Sequence, residues 1–241
     1  EIRTLEGLEK YEGFYRAEGL SDKEEGTCEI VENGIIYKVD YVGGQKTGFF
    51  LDQKYNRLAV SRLAKGRHVL DAFTHTGSFG LNAAKGGAAS VVSVDISADA
   101  LAVAKENAKK NGLDGKITYL RADVFDYLDA CLAAGRRDFD LIILDPPAFT
   151  KSRDTLKNAI RGYKEINEKA MRLLPRGGYL ATCSCSHFMT ETYFRQMLHN
   201  AAEGAGVSLK QIEARAQSPD HPILWNVPET YYLKFYIFQI V

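Results

Sequence analysis

The sequence has no hydrophobic run of membrane-spanning length and no excess of charge of either sign. Nowhere in its 241 residues does a stretch approach the ~20 consecutive apolar residues that a transmembrane helix needs. Lysine plus arginine and aspartate plus glutamate number 31 each, so the formal net charge is zero. Such a chain is not a polycation that binds nucleic acid or membranes along its whole length. We therefore expect a cytoplasmic protein with no membrane partner, which would meet any polyanion through a local patch.

Cysteine and proline are also scarce. The four cysteines are too few for a disulfide framework, and Cys183 and Cys185 form a C-x-C pair without the second ligand pair that a zinc site requires. His75 and His187 have no metal-ligand partner at useful spacing, so no metal is expected. With 6 prolines and 45% hydrophobic residues, the composition is that of a globular protein with a sizeable core.

Residues 1–54 differ in pattern from the rest of the chain. Apolar residues recur at helical spacing from Ile2 to Tyr11, which predicts a short amphipathic helix. Two β-rich segments then flank Asn33-Gly34, a dipeptide suited to the two positive φ angles of a tight hairpin turn. Because the sequence begins with glutamate rather than methionine, we expect an upstream segment to be missing. We assign residues 1–54 to this helix and hairpin and residues 55–241 to the main domain.

The main domain alternates short apolar runs with helical segments, which predicts an α/β fold with a parallel, doubly wound sheet. The apolar runs begin at Val69, Val91, Ile117, Leu141 and Tyr179. Two further β-rich runs, residues 207–216 and 231–241, have too little chain between them for a crossover helix. We expect these two to form an antiparallel hairpin at the edge of the sheet.

An aspartate ends each of the first four apolar runs, and ligands of open α/β sheets bind at the carboxyl ends of the strands. Helix N-capping would account for one or two of these acids, so the full set indicates a ligand site. The four residues are Asp71, Asp95, Asp123 and Asp145.

The turn after the first run, residues 71–80, lacks the G-x-G-x-x-G spacing with which dinucleotide enzymes bind a pyrophosphate. This favours S-adenosylmethionine, a nucleoside without phosphate, and leaves an NAD enzyme as the alternative. The loop from Phe73 to Gly77 would wrap the methionine end and Asp95 would bind the ribose hydroxyls, while Asp123 with Val124 would contact adenine. The predicted cofactor-binding residues of the main domain are Asp71, Ala72, Phe73, Thr74, Thr76, Gly77, Asp95, Ile96, Asp123, Val124, Asp145 and Pro146.

The fourth run ends in Asp145-Pro-Pro-Ala-Phe149. Two prolines fix an extended turn, so an exposed carboxylate and ring would line the cleft. This favours a planar substrate such as a nucleobase, with Asp145 on its polar edge, Phe149 stacked on its face and Pro147 nearby. The alternative places Phe149 in the core.

The fifth run carries two cysteines, and we predict different roles for them. Cys183 and Cys185 share a face of a regular strand, with Cys185 nearer the open edge. Since the fifth strand should lie beside the fourth, we predict that Cys185 faces Asp145 and acts as a nucleophile. Cys183 is expected to pack as a small hydrophobic residue.

Residues 151–176 contain eight basic and three acidic residues, a local net charge of +5. This segment is either a phosphate-binding track beside the cleft or a solvated helix face. On the first interpretation, Lys151, Arg153 and Tyr163 are candidate substrate contacts.

Several motifs together resemble those of one enzyme family, the ribosomal large-subunit cytosine-5 RNA methyltransferases, a PUA-containing group of class I enzymes. The resemblance runs from about Glu29 to the C-terminus and depends on the order and spacing of the motifs. They are Lys46-Thr-Gly-Phe-Phe-Leu-Asp-Gln53, Asn56-Arg57, Asp145-Pro-Pro-Ala-Phe-Thr-Lys-Ser152, Gly162-Tyr-Lys, Ser184-Cys-Ser, Asp220-His-Pro and Pro228-Glu-Thr-Tyr-Tyr-Leu-Lys234.

The resemblance implies a Rossmann-like class I methyltransferase domain with a mostly parallel seven-stranded sheet. It implies S-adenosylmethionine as cofactor, S-adenosylhomocysteine as product, ribosomal RNA as partner, 5-methylcytosine as the modified base and Cys185 as nucleophile. It further implies that Phe50 and Leu51 close over the cofactor. Family members carry a PUA domain and a β-rich middle domain, of which only the tail would be present here, and a homodimer is compatible with the family.

One position departs from the wider group of RNA cytosine-5 methyltransferases. Those enzymes have a second cysteine where this chain has Pro147, so the group that removes the carbon-5 proton stays open. Two other functions also stay open: an exocyclic-amine methyltransferase that uses Asp145 and Phe149, and an RNA-binding module without catalysis.

Overall fold

A computed structural model describes residues 4, 6–9, 26–44, 48–150, 152 and 154–241 of the chain. Five of the ten residues from Ile2 to Tyr11, for which a helix is predicted, lie outside these residues, and residues 6–9 form a turn and irregular backbone rather than a helix. Two of the predicted substrate contacts, Lys151 and Arg153, also lie outside them.

A β-hairpin precedes the main sheet, as the sequence predicts. Strands β1 (Thr27–Glu32) and β2 (Ile35–Asp40) pair antiparallel, and the turn between them has φ angles of 53° at Asn33 and 73° at Gly34. Two positive φ angles are the signature of the turn that matches the strands' right-handed twist. Asn111 accepts a hydrogen bond from the backbone N–H of β2 and donates one to its carbonyl, so the edge of the hairpin is fixed to the main domain.

Seven strands form one sheet with the order β5-β4-β3-β6-β7-β9-β8. The first five in this order are parallel, whereas β9 runs antiparallel to both of its neighbours, β7 and β8. The mostly parallel, Rossmann-like sheet and its antiparallel C-terminal strands are therefore confirmed. The strands are β3 (His68–Ala72), β4 (Ser90–Asp95), β5 (Ile117–Arg121), β6 (Leu141–Leu144), β7 (Tyr179–Ser184), β8 (Leu209–Arg215) and β9 (Lys234–Ile240).

Helices cover both faces of the sheet, and each face has its own hydrophobic core. Successive residues of β6 alternate between the two: Ile142 and Leu144 pack with helices α4 to α6, whereas Leu141 and Ile143 pack with α1 to α3 and the hairpin. Among the described residues, no helix is long and apolar enough to cross a membrane. The six helices of this part of the chain are α1 (Lys54–Leu63), α2 (Ser78–Lys85), α3 (Ala98–Lys110), α4 (Val124–Ala133), α5 (Leu156–Leu173) and α6 (Glu191–Ala205).

A buried ion pair joins the hairpin to α1. Nη1 of Arg57 donates to Oε1 of Glu32 at 2.7 Å, and the two side chains are 1% and 2% exposed. Nη2 of Arg57 donates to the carbonyl oxygen of Phe50 at 2.6 Å, and the guanidinium lies 4.6 Å from the ring centroid of Phe49. The hairpin thus shares its core with the main domain, and the boundary at residue 54 stays a prediction.

We expect Glu32→Gln to lower the free energy of unfolding by about 3 kcal/mol, because removing one partner leaves the guanidinium of Arg57 charged and buried. Urea denaturation followed by circular dichroism measures the change. The matched control is Glu106→Gln, which breaks the exposed Lys38–Glu106 pair and should cost less than about 1 kcal/mol. Equal effects of the two substitutions would contradict a structural role for the buried pair.

Candidate active site

The carboxyl ends of the central strands meet at one edge of the sheet and bring the predicted aspartates together. Backbone hydrogen bonds fix this edge: the N–H of Thr74 donates to Val94 of β4, and the N–H of Asp145 donates to Ala72 of β3. Asp71 lies within β3, and Asp95 ends β4. A cleft at this edge is where open α/β sheets bind ligands.

Asp71 is fully buried beneath the first loop. Its Oδ2 accepts hydrogen bonds from the hydroxyl of Thr74 at 2.5 Å and from the N–H of Gly80 at 2.8 Å. A Cβ at Gly80 would lie 2.8 Å from that oxygen, so only glycine permits this approach. Burial raises the pKa of Asp71 to about 7, and its Oδ1 has no partner among the described residues. A buried oxygen of this kind is suited to a ligand donor.

The loop after β3 turns sharply around this aspartate. Phe73, His75 and Gly77 have φ angles of 63°, 50° and 84°, and the first two are strained because they carry side chains. Asp95 holds the loop, since its Oδ2 accepts from the N–H of His75 at 2.8 Å. Its Oδ1 accepts from the N–H of Ser97 at 2.9 Å, and each oxygen keeps a second lone pair for a ligand.

Asp123 caps a helix, which is the role that N-capping offered as the alternative to ligand binding. It is the N-cap of α4, and its Oδ1 accepts from the N–H groups of Phe125 at 2.8 Å and Asp126 at 3.4 Å. The side chain of Val124 is buried in the core, which leaves only its backbone for the predicted adenine contact. Ile96 is 64% exposed at the end of the neighbouring strand. The remaining predicted cofactor residues differ in burial. Buried are Ala72, Thr74, Gly77 and Pro146; half-buried are Phe50, Phe73 and Thr76; exposed is Leu51.

The segment before α1 lies across this edge of the sheet. The ring of Phe50 meets the ring of His75 edge-on, with centroids 5.4 Å apart. Leu51–Gln53 forms a short 3-10 turn, and Asp52 accepts a hydrogen bond from the hydroxyl of Tyr232 at 2.7 Å. The closure over a cofactor that the resemblance implies stays a prediction.

Asp145 sits in a network that the sequence did not reveal in full. Nε2 of Gln53 donates to Oδ1 of Asp145 at 3.1 Å, and Asn56 donates to Oε1 of Gln53 at 2.7 Å. The thiol of Cys183 donates to the same Asp145 oxygen at 2.9 Å. Burial raises the pKa of Asp145 despite these hydrogen bonds, which favours its protonated form. The sequence gave no sign of the contact between Gln53 and Asp145, because Gln53 lies in a motif that the resemblance assigns to closure over the cofactor.

The two cysteines occupy different environments on the same face of the sheet. The thiol of Cys183 contacts Asp145, and burial together with the Asp145 charge raises the pKa of this thiol well above the usual value. Cys183 is 1% exposed, so its thiol stays protonated and acts as a donor. Cys185 follows the last residue of β7 and is half-buried at the open edge.

The aromatic side chains after β6 form a cluster. Phe149 is half-buried, and its ring centroid lies 4.6 Å from that of Tyr163, 6.0 Å from Phe125 and 6.3 Å from Phe73. Tyr163 has no exposed surface, and its hydroxyl accepts a hydrogen bond from Ser184 at 3.0 Å. The contact of Tyr163 with a substrate stays a prediction, and in this structure its buried ring supports Phe149. Pro147 is exposed beside them.

The basic helix α5 is partly neutralised by its own acids. Lys164 and Arg172 both bind Glu168, at 2.6 and 2.5 Å, and Lys169 binds Asp129 and Glu165 at 2.7 Å each. The C-terminal half of the basic segment, residues 164–176, therefore agrees with the alternative that this segment is a solvated helix face. Among the residues that can be described, Lys157 and Arg161 form no ion pair, and no cluster of metal-ligating side chains occurs.

Comparisons with known proteins agree with this architecture. The family model of S-adenosylmethionine-dependent methyltransferases matches residues 3–238. Ribosomal RNA large subunit methyltransferase I of Shewanella denitrificans is 46% identical over 228 residues, which are 93% of this chain and 57% of that protein. This chain therefore spans little more than half the length of that relative.

Two solved structures share the fold closely. A candidate SAM-dependent methyltransferase from Streptococcus mutans has a TM-score of 0.81 and 26% identity, over 91% of this chain and 57% of that chain. A second methyltransferase, complexed with SAH, has a TM-score of 0.80 and 25% identity over the same shares.

These matches decide between the two cofactors that the sequence left open. The family model covers nearly the whole chain, and its members use S-adenosylmethionine rather than NAD. The loop without a pyrophosphate-binding glycine pattern and the buried, unpartnered Asp71 oxygen fit that cofactor. The chain belongs to the S-adenosylmethionine-dependent methyltransferase family, and its cofactor is S-adenosylmethionine.

Proposed function

We propose that this protein methylates carbon 5 of a cytosine in large-subunit ribosomal RNA through a covalent intermediate on Cys185. The observation that carries the proposal is the placement of Cys185 just beyond β7, next to β6, which is followed directly by Asp145. The curated relative supports the RNA class of substrate, since its name is that of a ribosomal RNA large subunit methyltransferase.

The cofactor would lie along the edge formed by β3, β4 and β5. Asp95 binds the ribose hydroxyls with the lone pairs that His75 and Ser97 leave free. The turned backbone of residues 73–77 and the Oδ1 of Asp71, which has no partner among the described residues, would hold the amino-acid end. The bound cofactor supplies an electrophilic methyl group, and Phe50 and Leu51 keep water from it.

The chemistry requires covalent activation, because carbon 5 of cytosine is a poor nucleophile. The thiolate of Cys185 adds to carbon 6, which makes the ring enamine-like and able to take up the methyl group at carbon 5. Burial raises the pKa of Asp145, so its carboxyl group can take up a proton and donate it to the N3/N4 edge, which offsets the charge that develops there. Loss of the carbon-5 proton then expels Cys185 and restores the aromatic ring.

Asp95→Ala should weaken cofactor affinity about tenfold to a hundredfold, because a charge-assisted ribose contact contributes about 1.5–3 kcal/mol. Titration calorimetry with S-adenosylhomocysteine measures the change. Asp99→Ala is the matched control, since this exposed acid lies in the first turn of α3 and should leave affinity unchanged. Wild-type affinity in Asp95→Ala would remove the ribose assignment.

RNA containing 5-fluorocytidine should form a covalent adduct with this protein in the presence of cofactor, because fluorine cannot leave carbon 5 as a proton does. Cys185→Ala should abolish the adduct while cofactor affinity stays nearly unchanged, since the thiol acts on the base. Denaturing gel electrophoresis detects the adduct, and mass spectrometry of product nucleosides locates the methyl group.

Cys183→Ala is the control for the trapping experiment. It should still form the adduct, with slower turnover because Asp145 loses one of its hydrogen-bond donors. An adduct in Cys185→Ala and none in Cys183→Ala would move the nucleophile to Cys183. A product with its methyl group on an exocyclic nitrogen, together with turnover in a variant that carries both Cys183→Ala and Cys185→Ala, would favour the exocyclic-amine function instead.

Charge reversal of Lys157 and Arg161 should weaken RNA binding and lower the slope of log affinity against log salt by about 0.7 per lost contact. These two are basic residues of α5 without an ion pair in the described part of the chain. Arg172→Glu is the control and should change the slope less, because Glu168 already neutralises Arg172. Filter binding at several salt concentrations separates the two results.

A further inference from the structure

Gln53 is buried between the carboxyl group of Asp145 and the side chain of Asn56. Gln53 is 4% exposed and Asn56 is 1% exposed. Nε2 of Gln53 donates to Oδ1 of Asp145 at 3.1 Å and to the sulfur of Cys183 at 3.4 Å, so both hydrogens of its NH₂ group have acceptors. Its Oε1 accepts a hydrogen bond from Nδ2 of Asn56 at 2.7 Å. The orientation of the Gln53 amide therefore depends on that of Asn56.

Groups that can only donate or only accept fix the amide of Asn56. Nε of Arg215, which is always a donor, donates to Oδ1 of Asn56 at 3.2 Å. The carbonyl oxygen of Ala216, which is always an acceptor, accepts from Nδ2 of Asn56 at 3.3 Å. Nδ2 is therefore the group that faces Gln53. It follows that Gln53 presents its oxygen to Asn56 and its NH₂ group to Asp145.

The two oxygens of Asp145 differ in their partners. Oδ1 accepts from Gln53 and from the thiol of Cys183, which is 2.9 Å away, and these two donors occupy both of its lone pairs. The contact of the same thiol with the carbonyl oxygen of Leu144 is longer, at 3.4 Å. Oδ2 accepts no hydrogen bond from the described residues and is not fully buried, so it keeps accessible surface at the carboxyl end of β6. A proton that Asp145 takes up is therefore carried by Oδ2.

The oxygen that carries the proton decides which base the acid can bind. An Oδ2–H group is a donor and needs an acceptor on the base, which cytosine offers at N3. Uracil carries a hydrogen at N3 and would place a donor against a donor, which leaves both groups unpaired. If the proton could move to Oδ1, Oδ2 would become an acceptor, and the acid would lose this distinction between the two bases.

We propose that Gln53 is a positioning residue for Asp145: its amide keeps Oδ1 an acceptor, so that Oδ2 carries the proton and donates a hydrogen bond to N3 of the target cytosine. Gln53 acts only through Asp145 and does not touch the base. The orientation of the acid is a property of the chain, whereas its contact with cytosine rests on the proposed function.

Infrared spectroscopy tests the orientation of Asp145 without any substrate. The carbonyl stretch of a protonated carboxyl group moves to lower frequency when the carbonyl oxygen accepts hydrogen bonds. In spectra recorded from pH 4 to 8, the band of Asp145 is the one that Asp145→Asn removes. We expect this band at the low-frequency end of the range of protonated carboxyl groups, because the carbonyl oxygen, Oδ1, accepts two hydrogen bonds.

Gln53→Met removes the amide and keeps a side chain of similar length. The carbonyl band of Asp145 should move to higher frequency, because Oδ1 loses a donor. The pH midpoint of the band should rise, since burial raises the pKa of Asp145 and the hydrogen bond from Gln53 lowers it. The charged groups Arg57, Asp52 and Asp71, which also act on Asp145, all remain in this variant.

Asn56→Asp reverses the amide while Gln53 stays in place. The new carboxylate keeps the contact with Nε of Arg215 but can only accept, so Gln53 should turn its NH₂ group toward it and its oxygen toward Asp145. The proton of Asp145 then moves to Oδ1, and the carbonyl band should shift in the same direction as in Gln53→Met, because Oδ2 has no protein donor.

Turnover tests the contact with the base. Gln53→Met and Asn56→Asp should each lower kcat for large-subunit ribosomal RNA transcribed in vitro about tenfold or more, with a smaller change in KM, because the acid no longer holds a fixed donor toward N3. The matched control is Gln196→Met, which removes an exposed amide on α6 and should change neither the band nor kcat. Thermal unfolding and S-adenosylhomocysteine affinity establish that each variant is folded.

Each outcome decides between the two proposals. An unchanged band in either folded variant, or unchanged kcat with a shifted band, overturns the role of Gln53. If neither variant folds, the wild-type spectrum decides alone, and either the absence of the band or a band at the frequency of a free carbonyl overturns that role. Shifted bands in a protein that does not methylate carbon 5 of cytosine would leave the orientation of Asp145 standing and contradict the proposed function instead.

Discussion

The guanidinium of Arg57 is the interaction on which the site-forming part of the structure depends. It binds Glu32 of the hairpin, the carbonyl of Phe50 in the segment over the cofactor edge, and the ring of Phe49. Its positive charge also opposes the effect of burial on Asp145. One buried cation therefore fixes the position of the hairpin, the course of the segment before α1 and part of the electrostatics of the cleft.

The strands and their order could be predicted because they follow from local patterns. Each buried parallel strand is a short apolar run, and the Asn33-Gly34 turn is set by backbone sterics. The candidate site was only partly predictable. Asp95 and Asp145 were found because strand ends line the cleft. Gln53 was missed because its partners Asp145 and Cys183 lie 92 and 130 residues away in the chain.

Side-chain burial was the other weak point of the sequence interpretation. Tyr163 belongs to a motif and lies on a basic helix, yet its side chain faces the core because α5 packs on the sheet through that stripe. From the sequence, the positive charge of α5 was also expected to be available for binding phosphate. Its acids lie one helical turn from its bases, so three of its five basic residues form ion pairs within the helix itself.

The position of β9 between β7 and β8 has a consequence for how the domain is assembled. β8 precedes β9 in the chain but has no neighbour in the sheet other than β9. During synthesis β8 must wait until the later strand has paired with β7. Lys234 is the first residue of β9 and pairs with Ser184, so the same pairing step fixes the end of β7. Nascent chains that lack β9 thus expose the edge of β7, and the strand that precedes Cys185 takes its final place only when the sheet is closed.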